Sequence, residues 1–170
     1  MSRPSRRSRQ PETVWLNAEQ QRAWRHLISL IMVLPAALES DLQCAAGLTM
    51  FDYLVLANLS EADQRTLRMS DLAYRANSSL SRLSHVVRRL AQTGWVVKRP
   101  CSTDGRVSEV ILTKAGLAKV VEVAPHHAAT VRELVIQPLT RTQLSSLGDA
   151  AAAIAERIAE VDAATGAARA

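Results

Sequence analysis

The sequence predicts a mainly α fold with one small β-hairpin. Six Gly and six Pro in 170 residues leave long uninterrupted runs, which suit helices rather than a many-turned β fold. Apolar residues recur at helical spacing through most of the chain. Two β-branched runs stand close together on either side of an Asp-Gly turn, the signature of a hairpin. Apolar residues make up 48% of the chain and aromatics only 4%, so Leu, Val, Ile and Ala must supply most of the buried surface.

The first helix opens at Asn17-Ala18-Glu19-Gln20, a polar cap with Gln at the third helical position. Ala23, Trp24, Leu27, Ile28, Ile31, Leu34, Leu38 and Leu42 continue it on one face. Pro35 kinks it, and Gly47 stops it. Thr49-Met50-Phe51-Asp52 caps a second helix to about Leu59, with Phe51, Leu54, Val55 and Leu59 as its buried side. A short helix, Ser70–Ala76 with Ser70 as its cap, breaks at Asn77-Ser78. A longer one follows from Ser79 to about Gln92.

Leu80, Leu83, Val87 and Leu90 fall on one face of that longer helix. Ser81, Arg82, Ser84, His85, Arg88 and Arg89 occupy the other, and no Asp or Glu interrupts the stretch. Two short helices across a tight turn, the second apolar on one side and basic on the other, fit a helix-turn-helix. Trp95–Arg99 and Val107–Leu112 are the hairpin strands, joined through Asp104-Gly105. A basic hairpin directly after a recognition helix is a wing. Thr113-Lys114-Ala115-Gly116 starts a helix to Pro125, a further stretch runs from His126 to Gln137, and Thr140-x-x-Gln143 caps the last helix.

The charge is unevenly placed. Residues 1–10 carry Arg3, Arg6, Arg7 and Arg9 and no acid, and residues 65–114 carry ten basic residues against three acidic ones. The rest of the chain is net acidic, so the middle segment forms an electrostatic footprint for phosphates. The expected division is a disordered basic arm at 1–12, an N-terminal dimerisation helix at 13–48 and a winged helix-turn-helix domain at 49–113. C-terminal dimerisation helices at 114–162 and a frayed tail at 163–170 complete it. No apolar stretch follows the arginines as in a secretion signal, and the most apolar run, Leu27–Leu38, is too short for a bilayer. Cys44 and Cys101 are too few for a disulfide scaffold. These features predict a cytoplasmic, nucleoid-associated protein without membrane contact.

The order of elements resembles the MarR family of winged helix-turn-helix regulators. The family's wing pattern stands here as Asp104-Gly105-Arg106 and Leu112-Thr113-Lys114-Ala115-Gly116. Ser81-Arg82-Leu83-Ser84-His85, Arg89-Leu90 and Gly94-Trp95-Val96 are similar to the recognition helix of an actinobacterial-looking branch. The resemblance implies a homodimer whose terminal helices intertwine and whose recognition helices enter successive major grooves of double-stranded DNA. It also implies a repressor of a pseudo-palindromic operator, released by a small aromatic or phenolic ligand.

Ser81, Arg82, Ser84 and His85 are the candidates for base edges, Arg82 foremost because its planar fork can bond guanine. Arg75, Arg88, Arg89, Lys98 and Arg99 are the candidates for phosphates. Arg106 resembles the family's minor-groove arginine, with Asp104 supporting the loop, and the arm adds Arg3, Arg6, Arg7 and Arg9. Trp24, His26 and Tyr53 are the residues placed to line a ligand cleft. Cys101, beside Lys98 and Arg99, is the better placed cysteine for a redox-responsive variant of the same fold. Adjacent helical His126 and His127 point in different directions and make a poor metal pair, so neither metal nor cofactor is expected. Gly-x-Ser-x-Gly, Gly-rich phosphate loops and His-Glu-x-x-His are all absent, which excludes the common enzyme classes they mark. An architectural DNA-coating protein with weak sequence preference is the alternative.

Overall fold

The computed structural model describes residues 14–101 and 107–167. Contacts divide the chain into two units, Met1–Ala37 and Leu38–Ala170. Helix α1, Ala18–Ala46, runs through the boundary, and Pro35 lies inside it without ending it. Its N-terminus is held by the expected reciprocal cap: the Gln20 N–H donates to Asn17 Oδ1 and the Asn17 N–H to Gln20 Oε1, each at 2.9 Å. In the first unit Trp24, Ile31, Met32 and Val33 are all more than half exposed. By length and composition alone α1 could cross a membrane, its most apolar 18-residue window having a mean hydropathy of 1.5. That corrects the expectation that no apolar run is long enough.

The second unit begins with the end of α1, closed by Gly47 at φ 66°. Helix α2 is Met50–Glu61, with a reciprocal capping box between Thr49 and Asp52. Helix α3 is Met69–Arg75, and α4 is Leu80–Gln92. Strand β1 (Thr66–Arg68) pairs antiparallel with β3 (Ser108–Leu112), which pairs in turn with β2 (Val96–Pro100). Helix α5, Lys114–Val131, runs through Pro125 into a π-helical turn, Arg132–Ile136, and α6 is Arg141–Ala167. The Thr140–Gln143 cap on α6 forms as its spacing predicts.

Leu42, Leu56, Leu59, Leu72, Leu83, Leu90 and Val110 are fully buried at the centre of this unit. Each such burial contributes about 1.5–3 kcal/mol relative to exposure. On α2 the buried stripe is Asp52, Tyr53, Val55, Leu56 and Leu59. Leu54 is therefore half a turn away from it and exposed, contrary to its expected place in the core. On α4 the stripe is Leu83, Val86, Val87 and Leu90, and Leu80 in the first turn is 55% exposed.

Other elements also differ from expectation. Ser70 does not cap α3: the cap position is Arg68 and has no side-chain cap bond, while the Ser70 hydroxyl donates to Asp71 Oδ1. Pro125 does not divide α5, because a proline forfeits one backbone bond but the flanking turns stay paired. Helix α6 continues past Ala163, where the sequence predicts a frayed tail. Every residue from Arg141 to Thr165 except Leu144 is exposed.

Candidate nucleic-acid interface

Two helix ends place α4. At the end of α3 the Ser78 N–H donates to the Ala73 carbonyl and the Asn77 N–H to that of Tyr74, with Asn77 left-handed at φ 46°. This is a Schellman closure with Asn in the position that usually takes Gly, tolerated because Asn enters that region more readily than most residues. Ser79 then caps α4 by accepting from the Arg82 N–H at 3.3 Å. The far end of α4 closes the same way: the Trp95 N–H donates to Leu90, the Gly94 N–H to Ala91, and Gly94 has φ 77°. The turn between α3 and α4 and the entry to the wing are thus fixed by backbone bonds.

With Leu83, Val86, Val87 and Leu90 buried, the direction opposite them on α4 belongs to Ser81, His85 and Arg88, all exposed. These positions recur at three and four residues, one stripe of a helix. Ser84 is half-buried on one flank. Arg82 and Arg89, two turns apart, share the other flank, which faces α2. The Arg82 Cζ lies 4.4 Å from the centroid of the Phe51 ring. The Arg89 guanidinium donates to the Asp52 carboxylate, which is 4% exposed. Asp52 also accepts from the Thr49 N–H at 3.1 Å, so one buried side chain caps α2 and grips α4. The sequence marks Asp52 only as a helix cap and Phe51 only as core, and neither as a partner of α4.

The wing is anchored at its base. Thr113 Oγ1 donates toward the Gly94 and Trp95 carbonyls and accepts from the Gly116 N–H at 3.0 Å. A Cβ at Gly116 would lie 2.1 Å from the Trp95 carbonyl oxygen. The Leu-Thr-x-x-Gly pattern is therefore the joint between α4, the wing and α5. On β2, Lys98 and Arg99 are exposed, and Arg99 stands opposite Glu109 with their charged groups 3.6 Å apart. Arg75 is exposed in the last turn of α3. Asp104, Arg106, Arg3, Arg6, Arg7 and Arg9 lie outside the described residues.

The other candidates fall elsewhere. Trp24 and His26 belong to the first unit, where His26 shares a shallow depression with Ala18, Arg22 and Arg25. Tyr53, in the second unit, is 9% exposed, its ring centroid 4.6 Å from that of His127. Burial raises the Tyr53 pKa and lowers that of His127, whose buried Nδ1 has no partner among the described residues. His126 Nε2 lies 3.0 Å from Asp41 Oδ1, and the Thr130 hydroxyl donates to Asp41 Oδ2 at 2.7 Å. The Thr130 bond, chiefly, holds the Asp41 carboxyl below its ordinary range. Among the described residues no three His, Cys, Asp or Glu side chains gather as metal ligands. Cys101 is buried at 6% while Cys44 is exposed, which reverses their expected standing: a redox thiol must meet its oxidant.

A helix-turn-helix followed by a basic hairpin defines the winged helix-turn-helix class of DNA-binding domain. The MarR family sequence model matches residues 48–108. AbsC, a MarR family transcriptional regulator from Streptomyces coelicolor, is 41% identical over 87% of this chain and 99% of its own, with a TM-score of 0.83. Sco3205, a MarR family regulator from the same organism solved in complex with DNA, is 40% identical over 85% of this chain and 94% of its own, with a TM-score of 0.82. CouR from Rhodococcus jostii RHA1, bound to p-coumaroyl-CoA, shares the fold at 18% identity and a TM-score of 0.70, over 82% of this chain and 96% of its own. Among curated proteins no match is found. The chain belongs to the MarR family of DNA-binding transcription regulators.

Proposed function

We propose that this regulator binds a pseudo-palindromic operator as a homodimer, represses transcription there, and is released by a small molecule. The observation that carries the reading is the exposed stripe of Ser81, His85 and Arg88 on a helix whose opposite face is fully buried. An acid-free polar face on a rigidly placed helix suits base edges and phosphates alike. Sco3205, at 40% identity, was solved in complex with DNA, which supports DNA as the partner of this chain.

In this reading Ser81, His85 and Arg88 meet bases from the front of α4, with Arg82 and Ser84 at its flanks. Arg75, Lys98 and Arg99 hold phosphates, Arg106 enters the minor groove with Asp104 bracing its loop, and the N-terminal arginines add contacts on DNA. Arg89 serves chiefly to hold α4 on Asp52.

The exposed apolar residues of the two terminal helices, among them Ile31, Met32, Ile154 and Ile158, form the dimer interface. Patches of this kind rarely stay uncovered. A membrane span is a poorer account of α1. Glu39 accepts from the Met50 N–H at 2.8 Å and Asp41 binds Thr130 and His126, so the last turns of α1 are built into the second unit. The ligand is a small aromatic acid or phenol. The protein then works in the cytoplasm, on the nucleoid.

Sedimentation of the free protein and a mobility shift on palindromic fragments from its own promoter region test the proposal. A dimer that shifts one fragment far better than its scrambled control is expected. A monomer that ignores sequence would overturn the reading.

A further inference from the structure

We infer that Phe51 is a positioning residue for base recognition: its ring fixes the Arg82 guanidinium at the flank of α4, so that a residue that does not touch DNA sets part of the operator preference. The inference rests on the proposed reading of α4 as the base-reading helix. Phe51 is the chain's single phenylalanine. It sits in the first turn of α2, partly buried against the core. Its neighbours on both sides are tied down: the Met50 N–H donates to Glu39 Oε2, and Asp52 bonds Thr49 and Arg89. The ring is therefore a fixed platform.

Arg82 meets that platform with its guanidinium carbon 4.4 Å from the ring centroid. Such contact is attractive because the ring face is negative. It occupies the π face of the guanidinium and leaves the in-plane N–H groups outside the contact. Among the described residues no carboxylate pairs with Arg82, unlike Arg89 and Arg99, so its fork remains available to a guanine edge. A long side chain already held in one arrangement loses less freedom when it bonds a base. Leucine would fill the same niche but offers no π face.

The test uses the full-length dimer and a set of operator variants covering each base of one half-site. Arg82→Ala first locates the base position that Arg82 reads. Phe51→Leu, and pentafluorophenylalanine at position 51, keep apolar bulk but remove or invert the ring's negative face. Each should lower discrimination at that one position about two- to five-fold, the value of an exposed cation–π contact. Neither should reduce discrimination further in the Arg82→Ala background, and Phe51→Tyr should restore it.

If both ring variants discriminate as the parent does, or lose affinity equally on every operator, the positioning role is wrong while base reading by Arg82 stands. If Arg82→Ala itself weakens all operators uniformly, Arg82 holds a phosphate and the inference falls with that assignment. Should Phe51→Leu fail to fold, the fluorinated ring, which keeps the shape of Phe, decides alone.

Discussion

Arg89 of α4 donates to Asp52 at the start of α2 across 37 positions of sequence. The Asp52 side chain is 6% exposed and that of Arg89 54%. The carboxylate is thus out of water while the guanidinium keeps one side in it. Asp52 also completes the α2 capping box, so a single buried side chain ties together the start of α2 and the end of α4.

Arg89→Ala would leave that carboxylate without its cation. Because Arg89 is half exposed, the expected loss of stability is about 1–3 kcal/mol, below that of a fully buried pair. Urea denaturation measures it. The salt dependence of operator binding should keep its slope. A slope shallower by about one unit would instead return Arg89 to the phosphate contacts.

Arg88 points where Arg82 and Arg89 do not, away from α2. Arg88→Ala is expected to reduce affinity by about 1–3 kcal/mol at one base position and to relax preference there. Titration of single-base operator variants gives the answer, and an equal loss on all of them would mean a phosphate contact.

Gly116 packs against the Trp95 carbonyl with no space for a side chain. Gly116→Ala must therefore push the wing base away from α5 or bend α5. An overpacking of about 3 kcal/mol is expected, seen as a lower Tm, with DNA binding weakened because the wing moves. Gly148, where a Cβ would meet nothing within 4 Å, is the control: Gly148→Ala should be neutral or slightly stabilising.

The pH profile should show His127. Burial lowers its pKa from the ordinary 6.5, with Asp41 opposing the shift and His126 adding to it, and the Tyr53 ring packs beside it. The unfolded chain then takes up a proton more readily than the folded one. Stability is full well above pH 6.5, falls as pH drops through 6.5, and levels off once the folded imidazole is protonated too. The lowered Asp41 pKa acts only below its ordinary 3.8, outside that window. Thermal melts from about pH 7.5 to about pH 5.5 should show the decline, and His127→Leu should flatten it.

The element order and the turn into α4 were legible because they rest on local signals. The spacing of Leu83, Val87 and Leu90 and the caps at Asn17, Thr49 and Thr140 each lie within a few residues of what they control. Strand β1 was not legible: three residues show no period, and Thr66–Arg68 is a strand only because β3 lies beside it. The division of labour among the arginines was hidden for the same reason. Arg82, Arg88 and Arg89 share one polar face in sequence, and only the approach of Phe51 and Asp52 separates two of them from the third. Leu54 and Leu80 show the converse, apolar residues left 37% and 55% exposed on helices that the apolar spacing alone would turn inward.

The central claim is that two copies of α4 read a symmetric DNA site. Selection of bound duplexes from a random pool by the full-length protein, followed by sequencing, tests it most directly. The account predicts one enriched pseudo-palindrome with half-sites about 34–36 Å apart, a full turn of the duplex. It also predicts that Arg88→Ala erases one position in each half. An unenriched pool, bound with an affinity that falls with salt but not with sequence, would contradict it.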